Sequence, residues 1–100
     1  MNLLLNDEIK LFLQNSKNWK YAGKKITKLF LFKSYMDSIG FVVSLAEKAE
    51  LNNHHPDMII GWRKINVSFT SHDEGDVTML CIKMAEEADL IHEKFKTSAD

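Results

Sequence analysis

An α+β domain, with helices packed on one face of a four-stranded antiparallel sheet in the order α-ββ-α-ββ-α, is the fold this sequence predicts. Three observations carry it. Apolar residues recur at helical spacing in three separate stretches, alternating or β-rich segments fill the gaps between them, and Gly, Asn and Pro punctuate the junctions. A length of 100 residues with 45% hydrophobic content supports one core, so residues 1–100 read as one domain.

Asn6 is a suitable cap for a first helix, in which Ile9, Phe12 and Leu13 face inward, Lys10 and Gln14 face water, and the end falls near Ser16. Trp19 and Tyr21 alternate with Lys20, and Ala22-Gly23-Lys24 makes a turn into a second arm, Ile26 to Phe32. Ile26, Phe30 and Phe32 share one face of that arm. Leu29 and Leu31 lie on the other, which predicts a covering second subunit or a strand end.

Ser34-Tyr35-Met36-Asp37 has the form of a capping box that opens the main helix, with Ile39, Val42, Val43, Ala46 and Ala49 as its buried stripe and Glu47, Lys48 and Glu50 turned away from it. Gly40 within this helix costs about 1 kcal/mol relative to Ala, which predicts a close approach by a backbone or an aromatic ring. The helix stops by Asn52 or Asn53, because asparagine accepts the left-handed terminal conformation and Pro56 drives His55 out of the helical region. Met58, Ile59, Ile60 and Trp62 then form a short strand. Lys64 to Thr70 is a second, with Ile65, Val67 and Phe69 inward. After a polar loop, Thr78 caps a last helix that buries Leu80 or Cys81, Met84, Ala85, Ala88, Ile91 and Phe95 and frays after Lys96.

A net charge of -1, from 13 basic and 14 acidic residues, gives no field for nucleic acid or an anionic membrane. The cluster Lys17, Lys20, Lys24, Lys25 and Lys28 reads as a wet hairpin edge. No apolar run approaches the ~20 residues of a membrane span. With a single cysteine and no secretion signal at Met1 to Asp7, a soluble, cytoplasmic protein is expected.

The chemistry gathers at element ends. His54 and His55 stand at a helix exit one turn after Glu50, and His72 follows the last strand. The helix dipole and the carboxylate favour a protonated imidazolium, and a further imidazole would allow acid and base to act on one substrate, the chemistry of elimination or addition. No nucleophile is evident, since Cys81 lies within a helix and no serine sits in a glycine-rich turn. A plain reading stands beside this one, in which His-His-Pro caps carbonyls and starts a turn. Three histidines with Glu50 would also suit zinc, but adjacent side chains diverge and no HExxH or CxxC spacing occurs, so no metal is expected. Trp19 and Trp62 read as core or rim packing, and His92 as a solvated face residue of the last helix.

The spacing Glu50-x-x-x-His54-His55-Pro56, then Trp62, then His72, resembles the signature of the pterin-4a-carbinolamine dehydratase family. Trp19, Phe30-x-Phe32-x-x-Tyr35, Gly40-Phe41, Ala46-Glu47 and Ser71-His72-Asp73 fall in family-like order, so the resemblance spans nearly the whole chain. It implies an enzyme that eliminates water from 4a-hydroxytetrahydropterin to give quinonoid dihydropterin, without a metal or organic cofactor, in the recycling of tetrahydrobiopterin-like cofactors. It implies sheets paired edge to edge into a homodimer, in some members a homotetramer.

By the same resemblance His54, His55 and His72 are the active-site imidazoles, with His55 or His72 as the acid, and Glu50 orients them. Asn53, Thr70, Ser71 and Asp73 meet the pterin, with Trp19 nearby. The chain departs from the pattern at Met58, where a large residue is common, at Cys81, where an aspartate is expected, and at Asp76, where a second glycine often follows Gly75. Two other readings stay open: a binding, dimerisation or assembly module with vestigial histidines, and a pterin-binding protein of molybdenum-cofactor metabolism.

Overall fold

The computed structural model describes residues 7–16 and 18–98; the Asn6 cap and Lys17 lie outside them. The order is α1 (Asp7–Asn15), β1 (Lys20–Ala22), β2 (Lys25–Leu31), α2 (Tyr35–Asn52), β3 (Asp57–Gly61), β4 (Lys64–Phe69) and α3 (Met79–Ser98). Two hairpins therefore alternate with three helices, as the sequence predicts. The strands form one antiparallel sheet in the order β1-β2-β4-β3.

Local chemistry explains the junctions. Gly23 and Lys24 both take positive φ, 62° and 63°, which gives the two-residue turn whose twist matches that of the strands joining Ala22 to Lys25. The Ser34 hydroxyl accepts the Asp37 N–H at 3.0 Å and caps α2. Asn53 closes α2 in the left-handed region at φ 49°. Trp62 is not part of a strand: with Arg63 at φ 62° it makes the β3–β4 turn, ring exposed and guanidinium 4.8 Å from its centre.

The core lies between the sheet and the helices. Ile26 and Phe30 of β2 with Phe32 after it, and Ile65, Val67 and Phe69 of β4, share one sheet face and pack against Phe41, Leu45 and Ala49 of α2 and Cys81, Met84, Ala85 and Ala88 of α3. The stripe expected on α2 is rotated. Ser38, Phe41, Leu45 and Ala49 are buried while Val43 and Ala46 are exposed, because Phe41 and Leu45 remove more apolar area from water than the smaller side chains one position away. Ser38 tolerates burial since its hydroxyl donates to the Tyr35 carbonyl at 2.6 Å. On α3, Cys81 rather than Leu80 turns inward, and Ile82 joins it.

His92 departs furthest from expectation. It is 8% exposed, donates from Nε2 to the Leu31 carbonyl at 2.8 Å, and sits edge-on to Phe30 and Phe32. The carbonyl lies on β2 beyond the reach of short β1, so a hydrogen-bond donor there offsets the cost of burying the ring.

Gly40 meets a ring as predicted: a Cβ there would lie 2.9 Å from Phe95 Cε1. Gly40→Ala is expected to change stability by less than ~1 kcal/mol, since the helix gains what displacing the tip of Phe95 costs. Gly40→Leu is expected to lose about 1–3 kcal/mol through overpacking, read as a lower urea midpoint at unchanged slope.

The opposite sheet face is uncovered. Leu29, Asn66 and Ile59 form a cross-strand row on it, and Leu29, Leu31 and Ile59 are exposed. Among the described residues, no helix is long and apolar enough to cross a membrane.

Candidate active site

The exit of α2 builds the first half of the site. With Asn53 left-handed, its N–H turns back to the Glu50 carbonyl and that of His54 to the Ala49 carbonyl, so the chain leaves the helix with both imidazoles at its end. His55 Nε2 donates to Glu50 Oε2 at 2.5 Å, and both side chains are more than half exposed. His54 turns inward. Its ring is parallel to Phe69 within 10°, and Nε2 lies 3.2 Å from Cys81 Sγ.

The second half is the loop after β4. Ser71 and Asp76 form an isolated bridge, with the Ser71 N–H donating to the Asp76 carbonyl at 3.0 Å and the Gly75 N–H to the Ser71 carbonyl at 2.8 Å. His72 and Asp73 are carried, exposed, on this turn. Buried Asp76 anchors it: Oδ1 accepts the Tyr21 hydroxyl at 2.9 Å and the Val77 N–H at 2.7 Å. That hydrogen bond, with burial and the carboxylate charge, pushes the Tyr21 hydroxyl above its usual range.

The two halves meet electrostatically. Burial first, then the nearby His55 and His72, holds His54 below the ordinary histidine range. Dipole and carboxylate therefore do not win at this ring, and neutral His54 stands beside the Glu50–His55 pair, able to accept or donate a hydrogen bond without taking up a proton. Among the described residues, no three His, Cys, Asp or Glu side chains are grouped to hold a metal ion.

The residues expected against substrate are placed unevenly. Asn53 and Asp73 are exposed at the rim. The Thr70 hydroxyl donates to the Lys24 carbonyl at 2.7 Å, and the Ser71 hydroxyl accepts the Glu74 N–H at 3.3 Å, so both hydroxyls also hold the loop. Trp19 lies beneath the surface. It is 3% exposed, packs on Phe30 and Phe69, and donates its indole N–H to Asp89 Oδ2 at 3.1 Å, with the Phe69 ring standing between it and His54. Asp89 also accepts from Lys28 at 2.7 Å.

The sequence marked Asp76 and Cys81 only as departures from the family pattern; that Asp76 anchors the loop and that Cys81 touches His54 was not foreseen. A groove of about 880 Å³ lies elsewhere, between β2 and α3, and is lined by Leu29, Leu31, Asp89, His92 and others. Its size does not decide the matter, because the titratable cluster is at the α2 exit.

Comparison with known proteins adds to this geometry. The profile of the family described as pterin 4 alpha carbinolamine dehydratase matches residues 2–91. A protein of Natronomonas pharaonis, provisionally named a pterin-4-alpha-carbinolamine dehydratase, is 39% identical over 90 residues, covering 90% of this chain and 96% of that one. The crystal structure of a transcriptional coactivator/pterin dehydratase from Brucella melitensis superposes with a TM-score of 0.83 at 31% identity, over 91% of this chain and 99% of that one. A pterin dehydratase-like protein identified as a RuBisCO assembly factor shares the fold, with a TM-score of 0.65 at 20% identity over 78% of this chain and 90% of its own.

Proposed function

The chain belongs to the pterin 4 alpha carbinolamine dehydratase family, and from that premise we propose that it eliminates water from a 4a-hydroxytetrahydropterin, giving quinonoid dihydropterin by histidine acid–base catalysis. The observation that carries the reading is the α2 exit itself, where His55 Nε2 donates to Glu50 Oε2 at 2.5 Å beside the inward-turned His54, and the lowered His54 value, to which His55 and His72 contribute, supports including His72 from the loop.

The reaction needs a proton delivered to the 4a hydroxyl and one removed from a ring nitrogen. We assign the first to His55, which Glu50 orients and which is open to a bound substrate, and the second to His72 on the loop. Cleavage of C4a–O releases water while the nitrogen lone pair closes the conjugated system, and the two imidazoles exchange protonation states for reset by solvent. Asn53, Asp73 and the backbone of Ser71 form the rim we expect to meet the pterin edge. The enzyme would serve recycling of the oxidised pterin cofactor, in a cytoplasm that keeps Cys81 a free thiol. The uncovered sheet face with Leu29, Leu31 and Ile59 supports assembly into a dimer or tetramer.

The test is the rate of dehydration of freshly generated 4a-hydroxytetrahydropterin. Clear acceleration over buffer, abolished when His54, His55 and His72 are all replaced by alanine, is expected. A folded wild-type chain that leaves the rate at that of buffer would turn the assignment toward an assembly module.

A further inference from the structure

Cys81 is the third residue of α3 and fully buried, and its sulfur has three polar neighbours: the Thr78 N–H at 3.5 Å, the Thr78 hydroxyl at 3.7 Å and His54 Nε2 at 3.2 Å. Burial, opposed by hydrogen bonds from Thr78 and helped by the charge of Asp76, pushes the thiol above its usual range, so it keeps its proton. A thiol has one proton to give. The amide of Thr78 has to donate into sulfur, and the nearest acceptor for S–H is the imidazole nitrogen. His54, neutral under the influence of burial, His55 and His72, has one nitrogen able to accept.

We propose that Cys81 is a positioning residue whose S–H, aimed by Thr78, donates to Nε2 of His54 and holds that imidazole as the neutral Nδ1–H tautomer. Proton delivery at the site then falls to His55, which faces Glu50 instead of a thiol. This deepens the dehydratase reading and rests on it for its catalytic meaning, but the tautomer itself does not depend on the reaction.

A carboxylate at position 81 would do the reverse. In the first turn of α3 the helix dipole favours negative charge, and a carboxylate only accepts, so it would take a proton from Nε2 and stabilise the imidazolium. The thiol makes His54 an acceptor at Nε2. The groups facing the pair are Thr78, Asp76, Phe69, His55 and His72.

The experiment is long-range 1H–15N correlation of the histidine rings above neutral pH, for wild type and for Cys81→Ser, Cys81→Ala and Cys81→Asp. We expect wild-type His54 to carry its proton on Nδ1, Cys81→Ser to keep that tautomer, and Cys81→Ala to shift toward Nε2–H, the form that free imidazole side chains prefer. Cys81→Asp should show Nε2–H and a raised titration midpoint for His54. In dehydration assays, Cys81→Ala should lose ~10-fold in kcat at little-changed KM, and serine should restore most of it. A wild-type His54 protonated on Nε2, or a tautomer unmoved in Cys81→Ala, overturns the proposal, and the wild-type spectrum alone decides if the alanine variant does not fold. The expected tautomer in a chain without dehydratase activity would uphold the Cys81 assignment and remove the proposed function instead.

Discussion

His55→Ala is expected to lower kcat for pterin carbinolamine dehydration by ~10²–10⁴-fold, the usual contribution of a positioned general acid, with folding almost untouched. The ring is paired with Glu50 at 2.5 Å, yet the two side chains are 53% and 77% exposed. An ion pair so open to water contributes little to stability, within ~1 kcal/mol, so the variant should melt close to wild type while activity collapses. Glu50→Gln keeps a hydrogen-bond acceptor but removes the charge, and should cost about tenfold in kcat. Single-turnover rates across a pH series check both. Wild-type kcat in His55→Ala would remove His55 from the acid role.

His92→Ala should produce the largest loss of stability among single substitutions at histidine, about 3 kcal/mol. The substitution opens a void between Phe30, Phe32 and Phe41 and leaves the Leu31 carbonyl without its donor. His92→Gln, which keeps an N–H donor, should recover part of it. A pH dependence follows from the same burial. Desolvation, the largest cause, holds His92 below the ordinary histidine value, and His54 likewise, so the unfolded chain binds protons more readily than the folded one. Stability is then full above the unfolded value of about 6.5 and falls as pH drops through it toward the lower folded values. Urea midpoints should decline from neutral pH into mild acid, and less steeply in His92→Gln. A flat profile in wild type, or an unchanged midpoint in His92→Ala, would contradict this account.

The parts that could be read without coordinates are those governed by neighbours in the chain. Ser34 caps α2 because its hydroxyl reaches an amide three residues on, and Asn53 with Pro56 ends the helix because only certain backbone conformations are open to them. The Ile65, Val67 and Phe69 alternation announced β4, and Gly40 announced a ring, although not that the ring belongs to Phe95. The motif likewise located the helix exit and loop that carry the candidate site's imidazoles, since spacing along a helix and strand fixes where a side chain leaves them.

What escaped depends on partners far away in sequence. The phase of the α2 stripe was decided by competition between two overlapping apolar faces, settled by the area Phe41 and Leu45 remove from water against the sheet. Trp19 and His92 carry polar atoms that on average favour the surface, and both are buried because Asp89 and the Leu31 carbonyl, 70 and 61 residues away, satisfy them. The contact of His54 with Cys81 spans 27 residues and two elements. The sequence by itself determined the elements, their order and the family. Only the tertiary structure decided which polar groups are covered and what each imidazole faces, because desolvation and hydrogen-bond satisfaction are properties of packed neighbours, which local periodicity does not encode.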